Sequence, residues 1–155
     1  MDFNLTEDHD MMRDFGRDFA QKRLAPIAEE MDAKEDIPEE IIKEAAELGF
    51  FGLLAPEKYG GQELDTLSYA LIIEELSKAC AGFAIMVSVH NSLALKAIEH
   101  FGTDAQKDEY LPKLASGEMI GAYSLSEPDS GTDAGSLKTQ ALADGDNYVF
   151  NGTKS

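Results

Sequence analysis

The spacing of apolar residues changes once along this chain, near residue 118, and that change constrains the fold most. Before it, apolar residues recur every three or four positions, as on one face of an α-helix. After it, short β-prone runs alternate with clusters of turn residues. The pattern predicts a mainly α fold, with an N-terminal all-α helical bundle domain at 1–118 and the first strands of a β domain at 119–155. The second part, about 37 residues, suffices for a small three-stranded sheet but not for a barrel or a two-layer sandwich.

Start and stop signals divide the first part into helices. Side chains that can cap a helix N-terminus stand at Thr6, Asp36, Asp65 and Thr103. Glycines expected to end or separate helices are Gly49, Gly82, Gly102 and Gly117. The apolar residues expected to face the core are Met11, Phe15, Phe19, Ile41, Ala45, Leu48, Leu67, Leu71 and Leu76. We expect a loop at Phe50–Gly61, and a solvated helix face at Glu74 and Glu75.

The longest run without a charged residue lies between Ala79 and Leu95 and contains His90, Asn91 and two serines. A membrane span needs about 20 mostly apolar residues, so this shorter run predicts a buried bundle helix at about 83–100 and no membrane span. The acidic N-terminus lacks the pattern of a secretory signal. We therefore expect a soluble, cytoplasmic protein.

Charge and cysteine content exclude several classes of protein. Thirteen Lys and Arg against 30 Asp and Glu give a net charge of −17, which phosphate backbones would repel, so we expect no nucleic-acid partner. The single cysteine, Cys80, cannot form an internal disulfide and is expected to pack as a small apolar residue. His90 has no nearby Cys or carboxylate partner in sequence, so a packed or hydrogen-bonded polar cluster is favoured over a metal site.

The segment Ala122–Ser136 carries the strongest chemical signal. A strand predicted at Met119–Ser126 delivers an aromatic ring, a hydroxyl and backbone amides to a loop rich in small residues at Pro128–Ser136. Glycines there let a bulky ligand approach the backbone, and hydroxyl and N–H groups can donate to carbonyl or phosphate oxygens. The alternative is a surface turn rich in Asx and Ser/Thr motifs. Neither a Walker loop nor a GxGxxG turn is present.

The run Ser126-Glu127-Pro128-x-x-Gly131-Thr132-Asp133 resembles the signature of the acyl-CoA dehydrogenases. Other pieces agree with that family in order and spacing, and the resemblance covers essentially the whole chain. These pieces are Met1–Leu5, Lys58-Tyr59-Gly60-Gly61, Glu74-Glu75-Leu76, Phe101-Gly102-Thr103-x-x-Gln106-Lys107, Tyr110-Leu111 and Asn151-Gly152-Thr153-Lys154. The sequence looks most similar to bacterial short-chain, butyryl-type members.

The resemblance implies an FAD-dependent oxidoreductase with helical, β and helical domains in that order. Members remove a proton and a hydride from the Cα–Cβ bond of an acyl-CoA and pass electrons to an electron-transfer flavoprotein. They are commonly homo-tetramers. We expect this chain to be the front part of such an enzyme of fatty acid metabolism. The alternatives are an acyl-CoA oxidase, another acyl-CoA flavoenzyme on the same scaffold, or a non-catalytic helical binding module.

The resemblance also implies roles for individual residues. Those expected to bind FAD are Tyr123, Ser124, Leu125, Ser126, Gly131 and Thr132, and those expected near the CoA portion are Thr132 and Asp133. Ser124 and Asp129 depart from the family's usual residues, which are Gly, Ala or Cys at the first position and small or amide residues at the second. The catalytic base, a glutamate in the family, is expected beyond Ser155, so no catalytic residue is assigned here. Glu127 is expected to be structural.

A last expectation concerns the acyl tail. Ile85, Met86 and Val89 match the family region at the end of the acyl chain, although ordinary core packing is the simpler interpretation.

Overall fold

The chain is mainly α-helical, as predicted, in a computed structural model that describes residues 4–155. The helices are α1 Glu7–Phe19, α2 Ala28–Lys34, α3 Glu39–Glu47, α4 Thr66–Ala79, α5 Ala81–Val89, α6 Lys96–Phe101 and α7 Asp104–Ala115. The strands are β1 Gln140–Asp144 and β2 Asn147–Asn151. Residue contacts divide the chain into two units, Met1–Ala122 and Tyr123–Ser155. The predicted domain boundary at 118 stays a prediction, and the first three residues of the Met1–Leu5 match lie outside the described residues.

Three of the predicted helix starts are present. The Thr6 hydroxyl accepts a hydrogen bond from the His9 N–H, and the Asp65 carboxylate accepts from the N–H groups of Leu67 and Ser68. Thr103 caps α7 as predicted and forms a capping box with Gln106. These side chains satisfy N–H groups that would otherwise lack a partner in the first helical turn.

The predicted cap at Asp36 is wrong. Helix α3 begins at Glu39 and follows Pro38, whose side chain makes no capping bond. The backbone of Asp36 is used instead to close the preceding helix α2, since its N–H donates to the carbonyl of Met31 after Glu35 has turned left-handed. Asp36 lies two residues before Pro38, the N-cap position of α3, so its side chain does not occupy the position that caps this helix.

Glycine ends α3 as predicted. Gly49 has a φ of +83°, its N–H donates to the carbonyl of Ala46, and the Phe50 N–H donates to the carbonyl of Ala45. This is the left-handed motif that closes many helices, and it favours glycine, which has no Cβ. The chain then turns directly into the core.

The hydrophobic core of the first unit lies among α1, α3, α4, α5 and the connection after Gly49. That connection was predicted as a loop, yet the side chains of Phe50, Phe51 and Leu53 are fully buried. Phe50 stacks on Phe15 with ring centroids 4.7 Å apart. The loop is therefore part of the core and not a surface connection.

The predicted core faces of three helices are partly wrong. Met11, Leu48 and Leu67 are exposed. In α1 and α4 the buried face is rotated by about one residue from the one expected, whereas in α3 Ile41 and Ala45 are buried as predicted and Leu48 lies just beyond the last helical residue. The residues buried in α1 and α4 are Gly16, Phe19, Ser68, Ile72, Glu75 and Leu76. A Cβ on Gly16 would lie 3.0 Å from the Cα of Ile72, so the two helices pack with their backbones close together at this point.

A long helical segment runs from Ala81 to Phe101 through α5, a π-helical stretch at His90–Leu95, and α6. It starts after Cys80, whose φ of −151° breaks the helix, and not after Gly82 as predicted. This segment is long enough and apolar enough to cross a membrane. The core helix of a soluble protein can meet the same two criteria. One third of its most apolar stretch is buried, and Ile85 and Leu93 are exposed. The predicted absence of a membrane span stays a prediction.

The second unit contains an antiparallel hairpin. Ala141 pairs with Phe150 and Asp144 with Asn147, which leaves Gly145 and Asp146 as the turn. The strand predicted at Met119–Ser126 is wrong, because a strand needs a ladder of paired residues and this segment forms none among residues 4–155. Alternation along the hairpin places Leu142 and Val149 on one face and Tyr148 and Phe150 on the other, all of them exposed.

Candidate functional site

The predicted binding residues form one exposed segment of the second unit. Tyr123 is 48% exposed, and its neighbours are exposed as well. The exposed site residues are Tyr123, Ser124, Leu125, Ser126, Gly131, Thr132 and Asp133. Hydroxyls, amides and an aromatic ring therefore face outward, as a ligand-binding segment requires. Their roles toward a ligand stay predictions.

A tight turn joins the two halves of this segment. The Glu127 N–H donates to the Ser130 carbonyl at 2.8 Å, and the Ser130 N–H donates back to the Glu127 carbonyl at 3.0 Å. Beyond the turn, the hydroxyls of Ser130 and Ser136 both donate to the carbonyl of Asp133. Because Glu127 and Ser130 are paired, residues 123–126 and 131–133 leave the same closed turn.

The carboxylate of Glu127 is the centre of a buried hydrogen-bond network. It accepts from the backbone N–H of Lys138 at 2.6 Å, from that of Thr139 at 3.0 Å and from Nζ of Lys154 at 2.9 Å. The Thr139 hydroxyl beside it, the Lys138 N–H and the Lys154 ammonium lower the pKa of Glu127 to about 2. The Glu127 carboxylate is therefore ionised throughout the physiological pH range. Its hydrogen bonds connect the turn to the residues just before β1. This geometry is that of a structural carboxylate, as the sequence predicted.

Lys154 and Ser155 also contact this segment. Nζ of Lys154 also donates to the Leu125 carbonyl at 2.9 Å, and the Ser155 N–H donates to the Ser126 carbonyl at 2.9 Å. Sequence reasoning did not assign either residue to the site. The sequence pointed to them only through the run Asn151–Lys154, which agrees with the family pattern but to which no function was assigned.

The donors of this segment fit a flavin dinucleotide. Flavin rings and phosphates present acceptor oxygens, and the exposed hydroxyls of Ser124, Ser126 and Thr132 are donors of the matching kind. At Gly131 an added Cβ would meet no atom within 4 Å, so the backbone there is open to a bulky group. Asp129 is exposed and pairs with Lys138.

His90 lies in the first unit as a buried, hydrogen-bonded side chain. Its Nε2 lies 3.1 Å from the Leu114 carbonyl, and its Nδ1 accepts from the Gly121 N–H at 2.9 Å. Burial lowers the pKa of His90, so the neutral ring with the proton on Nε2 satisfies both partners. Among residues 4–155 no group of three or more His, Cys, Asp or Glu side chains is placed to hold a metal ion.

Glu75 is not solvated, contrary to prediction. It is 3% exposed and accepts hydrogen bonds from Arg17, 58 positions away, and from Lys78. The hydrogen bond from Arg17 is the largest cause of the lowered pKa of Glu75. Local sequence carries no sign of a partner so distant, which explains why the residue was missed.

The residues predicted at the acyl tail differ in exposure. Ile85 is 62% exposed, while Met86 and Val89 are half-buried. Simple core packing therefore does not describe Ile85. A role in binding an acyl chain stays a prediction for all three.

Comparison with known proteins decides the family. The model of the family "Acyl-CoA dehydrogenase, N-terminal domain" matches residues 6–118. The chain belongs to the acyl-CoA dehydrogenase family. It is 45% identical over 154 residues to the short-chain specific acyl-CoA dehydrogenase of Clostridium acetobutylicum, covering 99% of this chain and 41% of that protein. The chain thus spans about two fifths of the length of the curated relatives it matches.

Solved structures of similar fold agree with this assignment to the acyl-CoA dehydrogenases. One, from a study of the electron transferring flavoprotein of Acidaminococcus fermentans, has a TM-score of 0.93 and 47% identity, covering 99% of this chain and 40% of that one. Another is the acyl-CoA dehydrogenase of Bacillus anthracis complexed with FAD, with a TM-score of 0.86 and 39% identity. This match covers 97% of the present chain and 26% of the Bacillus anthracis chain.

Proposed function

We propose that this chain is the N-terminal part of an FAD-dependent acyl-CoA dehydrogenase that oxidises the Cα–Cβ bond of a short-chain acyl-CoA. The observation that carries the proposal is the exposed segment 123–133, closed by the Glu127–Ser130 turn, within a chain of this family. The short-chain preference is supported by a relative that is named short-chain specific.

The residues of this segment have distinct proposed roles. The Ser126 hydroxyl and the adjacent amides donate to the pyrimidine edge of the flavin, while Tyr123, Ser124 and Leu125 line the ring. Thr132, beside the open backbone of Gly131, lies at the pyrophosphate or the CoA portion, and Asp133 lies on the pantetheine side. Donors aimed at the pyrimidine edge stabilise the negative charge that develops there on reduction. When bound, FAD supplies the acceptor for the hydride.

The catalytic base is proposed to lie outside these 155 residues. Glu127 is unsuited to abstract a proton, because its pKa of about 2 makes it a weak base and its oxygens already accept three hydrogen bonds. Residues 1–155 alone should therefore not oxidise butyryl-CoA. Turnover above a no-protein control would contradict this placement of the base.

The proposed electron acceptor is an electron-transfer flavoprotein, and the proposed assembly is a cytoplasmic homo-tetramer of the full-length protein. The acceptor is supported by a similar chain solved in work on such a flavoprotein.

The test uses the full-length protein. Its visible spectrum and its titration with FAD measure flavin binding, and anaerobic addition of butyryl-CoA should bleach the flavin absorbance. Rapid oxygen consumption by the reduced protein would indicate an acyl-CoA oxidase instead. A colourless protein that takes up no added FAD would exclude a flavoenzyme.

A further inference from the structure

Lys154 makes two hydrogen bonds that join separate segments of the second unit. Its Nζ donates to the carbonyl of Leu125 and to the carboxylate of Glu127, each at 2.9 Å. An ammonium group has three donors in a compact arrangement, and this one uses two of them on residues two positions apart. The Ser155 N–H adds a third bond, to the Ser126 carbonyl between them.

Glu127 connects the same backbone to the residues just before the hairpin. Its side chain is 5% exposed and also accepts from the N–H groups of Lys138 and Thr139. Charge-assisted hydrogen bonds of this kind are stronger than neutral ones and leave little freedom to the groups they join. The Glu127–Lys154 ion pair therefore connects the backbone of residues 125–127 to the residues just before β1 and just after β2.

We propose that Glu127 and Lys154 are a pair of positioning residues that orient Leu125 and Ser126 for the flavin and balance charge beside it. The inference rests on the proposed function, because it assigns a role to residues that support the proposed flavin contacts. Both act through the 125–127 backbone and need not touch the flavin. As an ion pair they add no net charge to the site.

Charge balance separates this proposal from a purely structural role. Negative charge develops on a flavin when it is reduced, and nearby charges change the cost of that step. Lys154→Met leaves the Glu127 carboxylate uncompensated, so the midpoint potential of the bound flavin should fall. Glu127→Gln leaves the Lys154 ammonium uncompensated, so the potential should rise. Loss of structure alone gives no reason for the two shifts to have opposite signs.

The experiment compares variants of the full-length protein by FAD titration and spectroelectrochemistry. Lys154→Met should weaken FAD binding by about tenfold or more, as expected for loss of a charge-assisted hydrogen bond, and Lys154→Arg should recover most of the affinity. The double variant Glu127→Gln with Lys154→Met should return toward the wild-type potential, because the charges are again balanced.

Lys138→Met is the matched control. Lys138 belongs to the same loop, but its side chain pairs with Asp129 on the surface, where the two side chains are 72% and 68% exposed. Exposed ion pairs contribute little. This variant should leave both the FAD affinity and the potential unchanged.

Amide hydrogen exchange in the flavin-free protein tests directly whether Lys154 holds the backbone of residues 125–127. In flavin-free protein, amide hydrogen exchange of the peptide containing residues 125–127 should be faster in Lys154→Met than in wild type or Lys138→Met. If Glu127→Gln does not fold, the direction of the potential shift in Lys154→Met and its reversal by Lys154→Arg decide the question.

Three results would overturn the inference while leaving the proposed function intact. They are shifts of both single variants in the same direction, an unchanged potential in Lys154→Met, and unchanged exchange of the 125–127 peptide. A wild-type protein that binds no FAD would overturn the proposed function, and this inference with it.

Discussion

Asn91 joins the long helical segment to the buried connection after α3, and its removal should destabilise the first unit strongly. Its Oδ1 accepts from the Leu54 N–H at 3.2 Å, and its Nδ2 donates to the carbonyls of Phe50 at 2.9 Å and Val87 at 3.0 Å. The side chain is fully buried. In Asn91→Ala, water cannot readily replace these partners.

The size of the destabilisation depends on how many backbone groups lose their hydrogen-bond partner. The Val87 carbonyl keeps a backbone bond from the N–H of His90, so two groups are left, the Leu54 N–H and the Phe50 carbonyl. A buried polar group without a partner costs roughly 1–3 kcal/mol. We therefore expect Asn91→Ala to lower the free energy of unfolding by about 4 kcal/mol, a large part of the roughly 5–15 kcal/mol that stabilises a domain.

Urea unfolding of the 155-residue chain, followed by far-ultraviolet circular dichroism, measures this change. With a slope of about 2 kcal/mol per molar urea, the midpoint should fall by roughly 2 M without a change in slope. Asn91→Leu keeps the branching at Cγ and leaves no cavity, but it leaves the same backbone groups unpaired, so it should remain strongly destabilised. Ser92→Ala is the neighbouring control, because the Ser92 hydroxyl bonds only to the Ser88 carbonyl within its own helix. A loss below about 1 kcal/mol in Asn91→Ala, or one equal to that of Ser92→Ala, would refute the reasoning.

Three further outcomes are expected. Gly117→Ala should lower the stability of the chain in thermal unfolding by more than Gly145→Ala. Both glycines have a positive φ, but only a Cβ at Gly117 would meet side chains, at 2.6 Å from the Cβ of Ala46. Glu75 has a lowered pKa in the folded chain, so its stabilisation is present above the unfolded pKa and is lost as pH falls. In Glu75→Gln the free energy of unfolding, measured by urea titration, should therefore fall less steeply below about pH 5 than in wild type. An unchanged pH dependence in this range would contradict the stabilising role of the Glu75 carboxylate. Ser126→Ala in the full-length protein should weaken FAD binding or slow flavin reduction by about tenfold, measured by titration and anaerobic stopped flow.

Local chemistry predicted the ends of most helices. Thr6, Asp65 and Thr103 cap helices through bonds to residues two or three positions away, and Gly49 closes α3 through bonds within its last turn. Such contacts depend on residues that are adjacent in sequence, so a pattern of a few letters contains them. The sequence singled out the segment at 123–133, which is largely exposed, because its hydroxyls and glycines are contiguous. The binding role of this segment stays a prediction.

Long-range contacts account for what was missed. The buried carboxylate of Glu75 pairs with Arg17, and the Phe50 carbonyl in the buried connection accepts from Asn91, 41 positions away. The expected strand at Met119–Ser126 has β-prone residues, but a strand also needs a neighbour, which propensity does not supply. The role of Lys154 depends on Leu125 and Glu127, far earlier in the chain.

The hairpin β1–β2 has a consequence for handling the isolated chain. Its two faces both carry exposed apolar side chains, and its second strand Asn147–Asn151 contains no charge. Strands of this kind pair readily with copies of themselves. The net charge of −17 opposes such encounters through colloidal repulsion, which acts over about 8–10 Å at moderate ionic strength and shortens as salt is added. Solubility of the 155-residue chain therefore depends on ionic strength, and high-salt buffers would bring uncovered hairpins together.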